Sequence, residues 1–545
     1  MNHTFCCNFA EGMILNRNIM KSLTFILILF FITLVTISQS RWDNVFGVPN
    51  KRESFRDIIE IYDKGYFVVS GEIIEQYTWG VKTDINGNPL WDKTIGNSDS
   101  MFSAVTAIEN LDGGLVMLGG YWENSDRNGD MVIRFNSCGE KLWCNYLEAS
   151  DYISVNFWDV VLMDNSNLLV LGWFGSPDQI EQIFLLCYNQ EGELLWTKPY
   201  ATKYDHPEIG YATGRDLYYF NDYYLISGYC YWPYPDNPEI YYLHPMIIKV
   251  DSDFNEEWLL PYGINDSIFG LLQGLLPLSD SEYMGYGKCL EGQDTRALII
   301  QFDDEGNETD YTIIPNDAID PPTHFNLIQG AVQITDSTFI AAANWGLEEQ
   351  GGNPNGEYIF DLLGNIYQYN SRPNTMGKNR IIKTTDGDFL FGTNYKNGND
   401  YDIYLYKLDS NLQSVPFDNN PYNYDSLCPD PIQSGYISLE DCSIITSIDD
   451  ASSPEDYYAS LKTITIKAFP NPAKDKVTFA FENTDKHHNI KMVCYDVFGR
   501  KVDEQKIYPG QLEAQVNVSY WKCGMYVAVV RSEGKVVGKE KILVW

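Results

Sequence analysis

The strongest constraint on this chain is that it repeats itself. The segments "DKGYFVVSGE" and "WGVKTDINGNPLWDKTIG" within residues 63–96 are echoed by "LDGGLVMLGGYW" and "DMVIRFNSCGEKLWCNYL" within 111–147. Further copies at 165–200, 221–263, 281–314, 336–370 and 386–415 bring the number to seven. Each unit opens on an alternating segment such as "RDIIEIYD" (56–63) or "NRIIKTTD" (379–386). A turn carrying Asp, Gly or Asn leads to an apolar strand, a variable loop to a third strand, and a Gly- or Asn-containing turn to a fourth. Alternation of apolar and polar residues marks half-buried strands, and Asn-Gly supplies the positive φ of a tight hairpin. Four short strands per unit, repeated at a spacing near fifty residues, describe the blades of a β-propeller.

The fourth strand carries one large aromatic per unit: Trp91, Trp143, Trp196, Trp258, then Tyr311 and Tyr367, at gaps of 52, 53, 62, 53 and 56. Blades bury their faces on their neighbours, so a flat side chain recurring once per blade is expected to pack between blades rather than to form a sugar platform. The segment "RWDNVFG" (41–47) aligns with "LWDKTIG" (90–96) and places Trp42 at the same position. A lone fourth strand ahead of the first repeat predicts that the N-terminus completes the last blade, which leaves no sheet edge open in the ring. The expectation is an all-β chain with a seven-bladed propeller over residues 41–420.

Charge divides the chain further. Of the net −37, residues 41–460 carry 22 basic and 65 acidic residues, a net of −43, while 461–545 carry 14 and 9, a net of +5. So acidic a body repels phosphate backbones and excludes nucleic acid as a partner. The sign change near residue 460 marks a domain boundary. At the other end, Met20-Lys21-Ser22, the apolar run "LTFILILFFITLVTI" and Ser38-Gln39-Ser40 describe a signal peptide over 1–40 with Met20 as the true start. The run is too short for a membrane anchor, so the mature form is expected to have no transmembrane segment. In an exported protein, cysteine pairs at short spacing could close disulfides: Cys138 with Cys144, or Cys428 with Cys442. The second is favoured, as a staple in the Pro-rich, weakly periodic linker 421–460. Neither pair has the spacing of a zinc site.

Candidate chemistry is sparse. The body has three histidines, His206, His244 and His324, and no nucleophile elbow, zinc-protease motif or phosphate loop. No catalytic residues are assigned; carboxylates are too numerous for a pair to be singled out, which keeps an extracellular, glycosidase-like hydrolase as an alternative. No cofactor is expected. "NSDRNGD" (124–130) partly resembles a calcium loop, with Asn124, Asp126, Asn128 and Asp130 in alternation, but Phe135 stands where a bidentate Glu belongs, so a polar loop is read first and calcium second. The largest insertion, "GYCYWPYPDNPEIYYLHP" (228–245), crowds Tyr229, Tyr231, Trp232 and Tyr234 together as candidate ligand-binding residues. The alternative is that they pin a long loop to the propeller.

Strands return in the last 85 residues, at "LKTITIKAFP", "DKVTFAFE" and "IKMVCYDVFGRKVDEQKIY", then "AQVNVSY" and "GMYVAVVRSEGKVVGKEKILVW". Some seven alternating strands in that length predict a small, Ig-like β-sandwich over 461–545. Phe469-Pro470-Asn471-Pro472-Ala473, "DVFGRKV" with Gly499, "GMYVAVV" with Gly524 and Tyr526, and the closing "KEKILV" occur in order. These residues closely resemble the type A C-terminal sorting domain of the type IX secretion system of Bacteroidota. The resemblance implies a route: export to the periplasm, reading of the folded tail by the outer-membrane secretion machinery, and cleavage by a sortase-like protease. The passenger is then secreted or attached to the cell surface. For the propeller the expected role is a binding module for a glycan or surface protein, with a structural adhesin or a hydrolase as alternatives.

Overall fold

The computed structural model describes residues 42–545 apart from short stretches, the longest being 319–324, 347–353, 446–451 and 458–463. The signal segment 1–40, with Met20, lies outside the described residues. Among the described residues, seven four-stranded antiparallel blades follow one another along the chain, blades 5 and 6 being joined by one parallel bridge between Thr295 and Phe325. Blades 1 to 6 take their strands in sequence order, with first strands at Glu53–Glu60, Ser100–Glu109, Ser154–Leu162, Ala212–Phe220, Phe269–Pro277 and Phe325–Thr335. Blade 7 uses Thr375–Lys383, Phe389–Asn397 and Asp400–Leu408, and its outermost strand is Asp43–Phe46 from the N-terminus. The ring is therefore shut by hydrogen bonds between the two ends of the propeller. First strands of successive blades touch one another all the way round and line a central channel.

Adjacent blades are glued by apolar faces. Between blades 3 and 4, Leu171, Ile183 and Leu185 meet Leu217, Ile226 and Met246, all buried. Each such side chain contributes about 1.5–3 kcal/mol relative to exposure. A second device recurs outside this core. The turn that follows the third strand is an Asp or Asn turn, in which the residue three positions on has positive φ: Gly87, Gly139, Gly192, Phe254, Gly306, Gly364 and Leu412. The fourth-strand aromatic of the preceding blade lies on this turn. Trp42 donates from Nε1 to Ile85 O at 2.8 Å, Trp143 to Gln190 O at 2.9 Å and Trp258 to Asp304 O at 3.3 Å. A Cβ on Gly192 would stand 2.6 Å from the Trp143 ring, so this turn needs glycine for both its φ and its bareness. Trp196 instead meets Phe254, ring centroids 4.4 Å apart, and Trp91 packs beside Gly139. Tyr367, at the same place in blade 6, is 63% exposed.

The stretch read from sequence as a linker is not a free tether. After blade 7 the chain doubles back over the outside of the ring. Asp418 and Asn86 exchange hydrogen bonds of 2.7 Å, Tyr424 accepts from Ile85 N at 2.9 Å, and Trp91 Nε1 donates to Asp425 at 3.0 Å. Gly435–Ile437 then adds a parallel fifth strand to blade 1, and Ser443–Ile445 adds one to blade 2. This strap covers edges that would otherwise be open to pairing. It also corrects the expected disulfide: Cys428 pairs with Cys138, and Cys442 with Cys144, not with each other. The reason is geometric. The strap passes from the Cys138 turn of blade 2 along the outer strand of blade 1 and back to the outer strand of blade 2, so its two cysteines meet different partners there and are held apart.

The C-terminal domain is a two-sheet sandwich. Thr465–Phe469, Lys476–Glu482 and Glu513–Asn517 form one sheet; Ile490–Asp496, Lys501–Ile507, Gly524–Ser532 and Lys535–Val544 form the other. Val477, Phe479, Met492, Ala528, Val530 and Ile542 fill the space between. The Pro470-Asn471-Pro472 step ties the sheets together: Asn471 donates to Lys541 O at 2.7 Å and accepts from Leu543 N at 2.9 Å. Gly499 takes the positive φ of an Asp496 turn, Gly524 opens its strand on the surface, and the buried Tyr526 donates to Lys522 O at 2.7 Å.

Candidate functional site

The first strand of every blade carries a β-bulge at its middle. Register slips between Phe55 and Asp57, Ala104 and Thr106, Phe157 and Asp159, Gly214 and Asp216, Leu272 and Gly274, Ile328 and Gly330, and Met376 and Asn379. A bulge leaves one residue outside the ladder and re-aims it. At the channel wall those residues include Arg56, Trp158, Arg215 and Lys378. The residue after the bulge reaches sideways to the next blade. Asp57 accepts from Thr106 Oγ1 at 2.6 Å, Asp159 from Leu217 N at 2.9 Å, and Asp216 from Leu275 N at 3.2 Å. These carboxylates stitch the inner rim blade to blade.

Charge then accumulates on the wall. Arg380 pairs with Asp57 at 3.1 Å and also feels Tyr286, Asp216 and Asp159. Burial, with Asp216 beside it, pushes the Asp159 carboxyl up to about 8; burial raises Asp216 as well. Lys378 donates to Val105 O at 3.3 Å; burial pushes it down to about 8, against the pull of Asp57 and with the help of Arg380 and Arg56. Lys288, on the second strand of blade 5 (Glu282–Glu291), is lowered by burial and by Arg215. The Arg215 guanidinium lies 3.9 Å from the centre of the Trp158 ring and 5.6 Å from that of Tyr229. A cation held over an indole face at that distance is a strong contact.

The four aromatics singled out by sequence lie on the second strand of blade 4, Tyr223–Tyr234. Tyr231 stacks on Tyr211 with centroids 4.2 Å apart, and Tyr229 meets the same ring edge-on at 6.2 Å. Trp232 packs against the core between blades 3 and 4, and Tyr234 touches Tyr242 at 5.4 Å. All four are half-buried, and of them Tyr229 is the one in contact with Arg215. Of the calcium-loop residues, Asn124 lies outside the described residues, and the Asp130 carboxylate accepts the amide of Phe157 in blade 3. Among the described residues no group of three His, Cys, Asp or Glu could hold a metal. His206 pairs with Glu256 at 2.6 Å, His244 is buried beside Phe269, and His324 lies outside the described residues. Trp158, Arg215 and the channel cations escaped the sequence reading, although a signal existed. "RDII", "WDVV" and "RDLY" at 56, 158 and 215 put Asp in the same repeat position each time.

A closed blade ring joined to a separately folded C-terminal sandwich defines a class: a propeller passenger with an export module. Residues 467–544 match the secretion system C-terminal sorting domain, so the chain is a type IX secretion cargo, carried to the cell surface or the extracellular space. Among solved structures, the β-propeller domain of the Trilobed protease from Pyrococcus furiosus aligns at 13% identity over 68% of this chain and 100% of its own, with a TM-score of 0.37. Drosophila Semaphorin 2a aligns at 9% identity over 92% and 98%, with a TM-score of 0.40. A Bacteroides caccae protein of unknown function aligns at 9% over 59% and 94%, with a TM-score of 0.34. No curated protein matches the chain. No helix among the described residues is long and apolar enough to cross a membrane.

Proposed function

We propose that the exported propeller is a binding module and that its ligand seat is the channel wall around Trp158, Arg215 and Tyr229. The observation that carries this is the Arg215–Trp158 stack, a cation and an indole both re-aimed by bulges on neighbouring blades. Aromatic rings bearing a polar handle suit the two-sided surface of a sugar. The insertion aromatics support the seat from behind: Tyr231 and Trp232 are held by packing, and Tyr229 is aimed at it. The alternative, a hydrolase, is favoured by one feature, the adjacent Asp159 and Asp216, of which Asp159 is held protonated near neutral pH. Both carboxylates already accept backbone amides, which assigns them to stitching first.

A glycan array probed with the purified full chain, with hits re-examined for release of reducing ends, tests both readings. Binding without turnover, lost in Trp158→Ala and kept in Trp232→Phe, is the expected result. Turnover abolished by Asp216→Asn in a folded variant would replace the binding reading with the enzymatic one.

A further inference from the structure

The channel wall is cationic in a protein that is otherwise strongly acidic. Elsewhere in the propeller, buried cations are matched by carboxylates: Lys82 with Asp63, Arg134 with Asp112, Lys249 with Asp304, Arg372 with Glu357 and Lys407 with Asp386. That is the usual requirement for a charge taken out of water. At the channel the half-buried cations depart from it, Arg380 with Asp57 excepted. Among the described residues Arg56, Arg215, Lys288 and Lys378 have no ion-pair partner, although 75 acidic side chains are available to the chain. The buried Nε atoms of Arg56 and Arg215 and Nε1 of Trp158 also lack a hydrogen-bond partner within the described residues. The carboxylates nearby do not restore balance. Asp57 is committed to Arg380, and Asp159 shares its site with Asp216, so the two together hold less than two full charges.

Resting on the binding reading above, we infer that the seat takes an anionic glycan, one whose sugars carry carboxylates, with Arg215 and Lys288 meeting the acid group beside Trp158 and Tyr229. Unpaired cations supply the charge-assisted hydrogen bonds a carboxylate needs, and Arg presents them in a planar fork. The aromatic partners favour a pyranose ring over an acidic peptide as the carrier of that carboxylate. The acidic exterior sharpens the choice: a polyanion is repelled everywhere except the channel mouth, so binding is confined to ends or short oligomers.

The test uses the full chain and a panel of uronate oligomers (galacturonate, glucuronate and mannuronate), each beside its carboxyl-reduced, neutral counterpart, in titration calorimetry. At least one acidic member is expected to bind and to lose about tenfold in affinity on carboxyl reduction, and likewise in Arg215→Gln and in Lys288→Gln. Thermal denaturation of each variant checks that it folds; should Arg215→Gln fail, Lys288→Gln carries the result. Equal binding of acidic and reduced forms overturns the charge assignment and leaves the binding module standing. Binding by neutral array sugars alone does the same. Tighter binding of poly-glutamate than of any uronate overturns the sugar assignment, and no binding to any panel or array member overturns both readings.

Discussion

Two titrating residues on the channel wall act in opposite senses. Asp159 has a folded-state pKa above its unfolded value, so its favourable contribution is present at low pH and is lost as pH rises through about 8. Lys378 has a folded-state pKa below its unfolded value, so it costs stability at low pH, and that cost is relieved as pH rises through about 8. The two meet near the same pH, with Asp216, Arg380, Arg56 and Tyr286 as their charged or titrating neighbours. Asp159→Asn should therefore move the pH of maximum melting temperature upward, and Lys378→Gln should move it downward. Identical profiles for wild type and both variants would show that neither group titrates as placed. At the outer rim, Trp42→Ala should cost about 3–5 kcal/mol in urea unfolding, whereas Tyr367→Ala, on an exposed ring, should cost little.

At the level of strands and turns, what the sequence made legible is what repeats within one blade. Hairpin turns announced themselves through their Asp, Asn and Gly residues, and the fourth-strand aromatic through its return every fifty-odd residues. The N-terminal clasp was legible because Trp42 belongs to that same series. The strap was not. Its added strands are three residues long and parallel, so they carry no alternation of their own and borrow their order from edges more than 290 residues away in sequence. The same distance explains the misassigned cysteines: short loop closure favours Cys428 with Cys442, and only the path of the strap brings both to blade 2. The channel cations were hidden for a related reason, since blades 1, 4 and 5 contribute one each and blade 7 two, and the cluster exists only once the ring closes. Mass mapping under non-reducing conditions should recover the pairs 138–428 and 144–442. Reduction should lower the melting temperature, with about 2–4 kcal/mol at stake for each bridge. Recovery of a 428–442 peptide instead would remove the strap.

As a whole the molecule joins an acidic body, net −43, to a basic tail, net +5, each with its own core. Independent cores mean that the tail can be removed without unfolding the passenger. Deleting residues 461–545 should leave a propeller that melts as before yet is recovered from the periplasmic fraction rather than from the surface or the medium. Normal surface appearance of that truncation would contradict the role of the sorting domain.

The strap also decides how the molecule bears tension. A pull on the passenger from its C-terminal side meets hydrogen bonds first, at Ser452 against Thr197 of blade 3 and along the added strand Ser443–Ile445, and then its first covalent anchor at Cys442. From there the load passes through Cys144 into the outer strand Lys141–Glu148 of blade 2. The hydrogen-bonded seam between Asp43–Phe46 and Asp400–Leu408, where the two ends of the ring meet, lies two blades away. Force that would open an unstrapped propeller is met at blade 2 by a covalent bond, in a protein carried to the cell surface or the extracellular space.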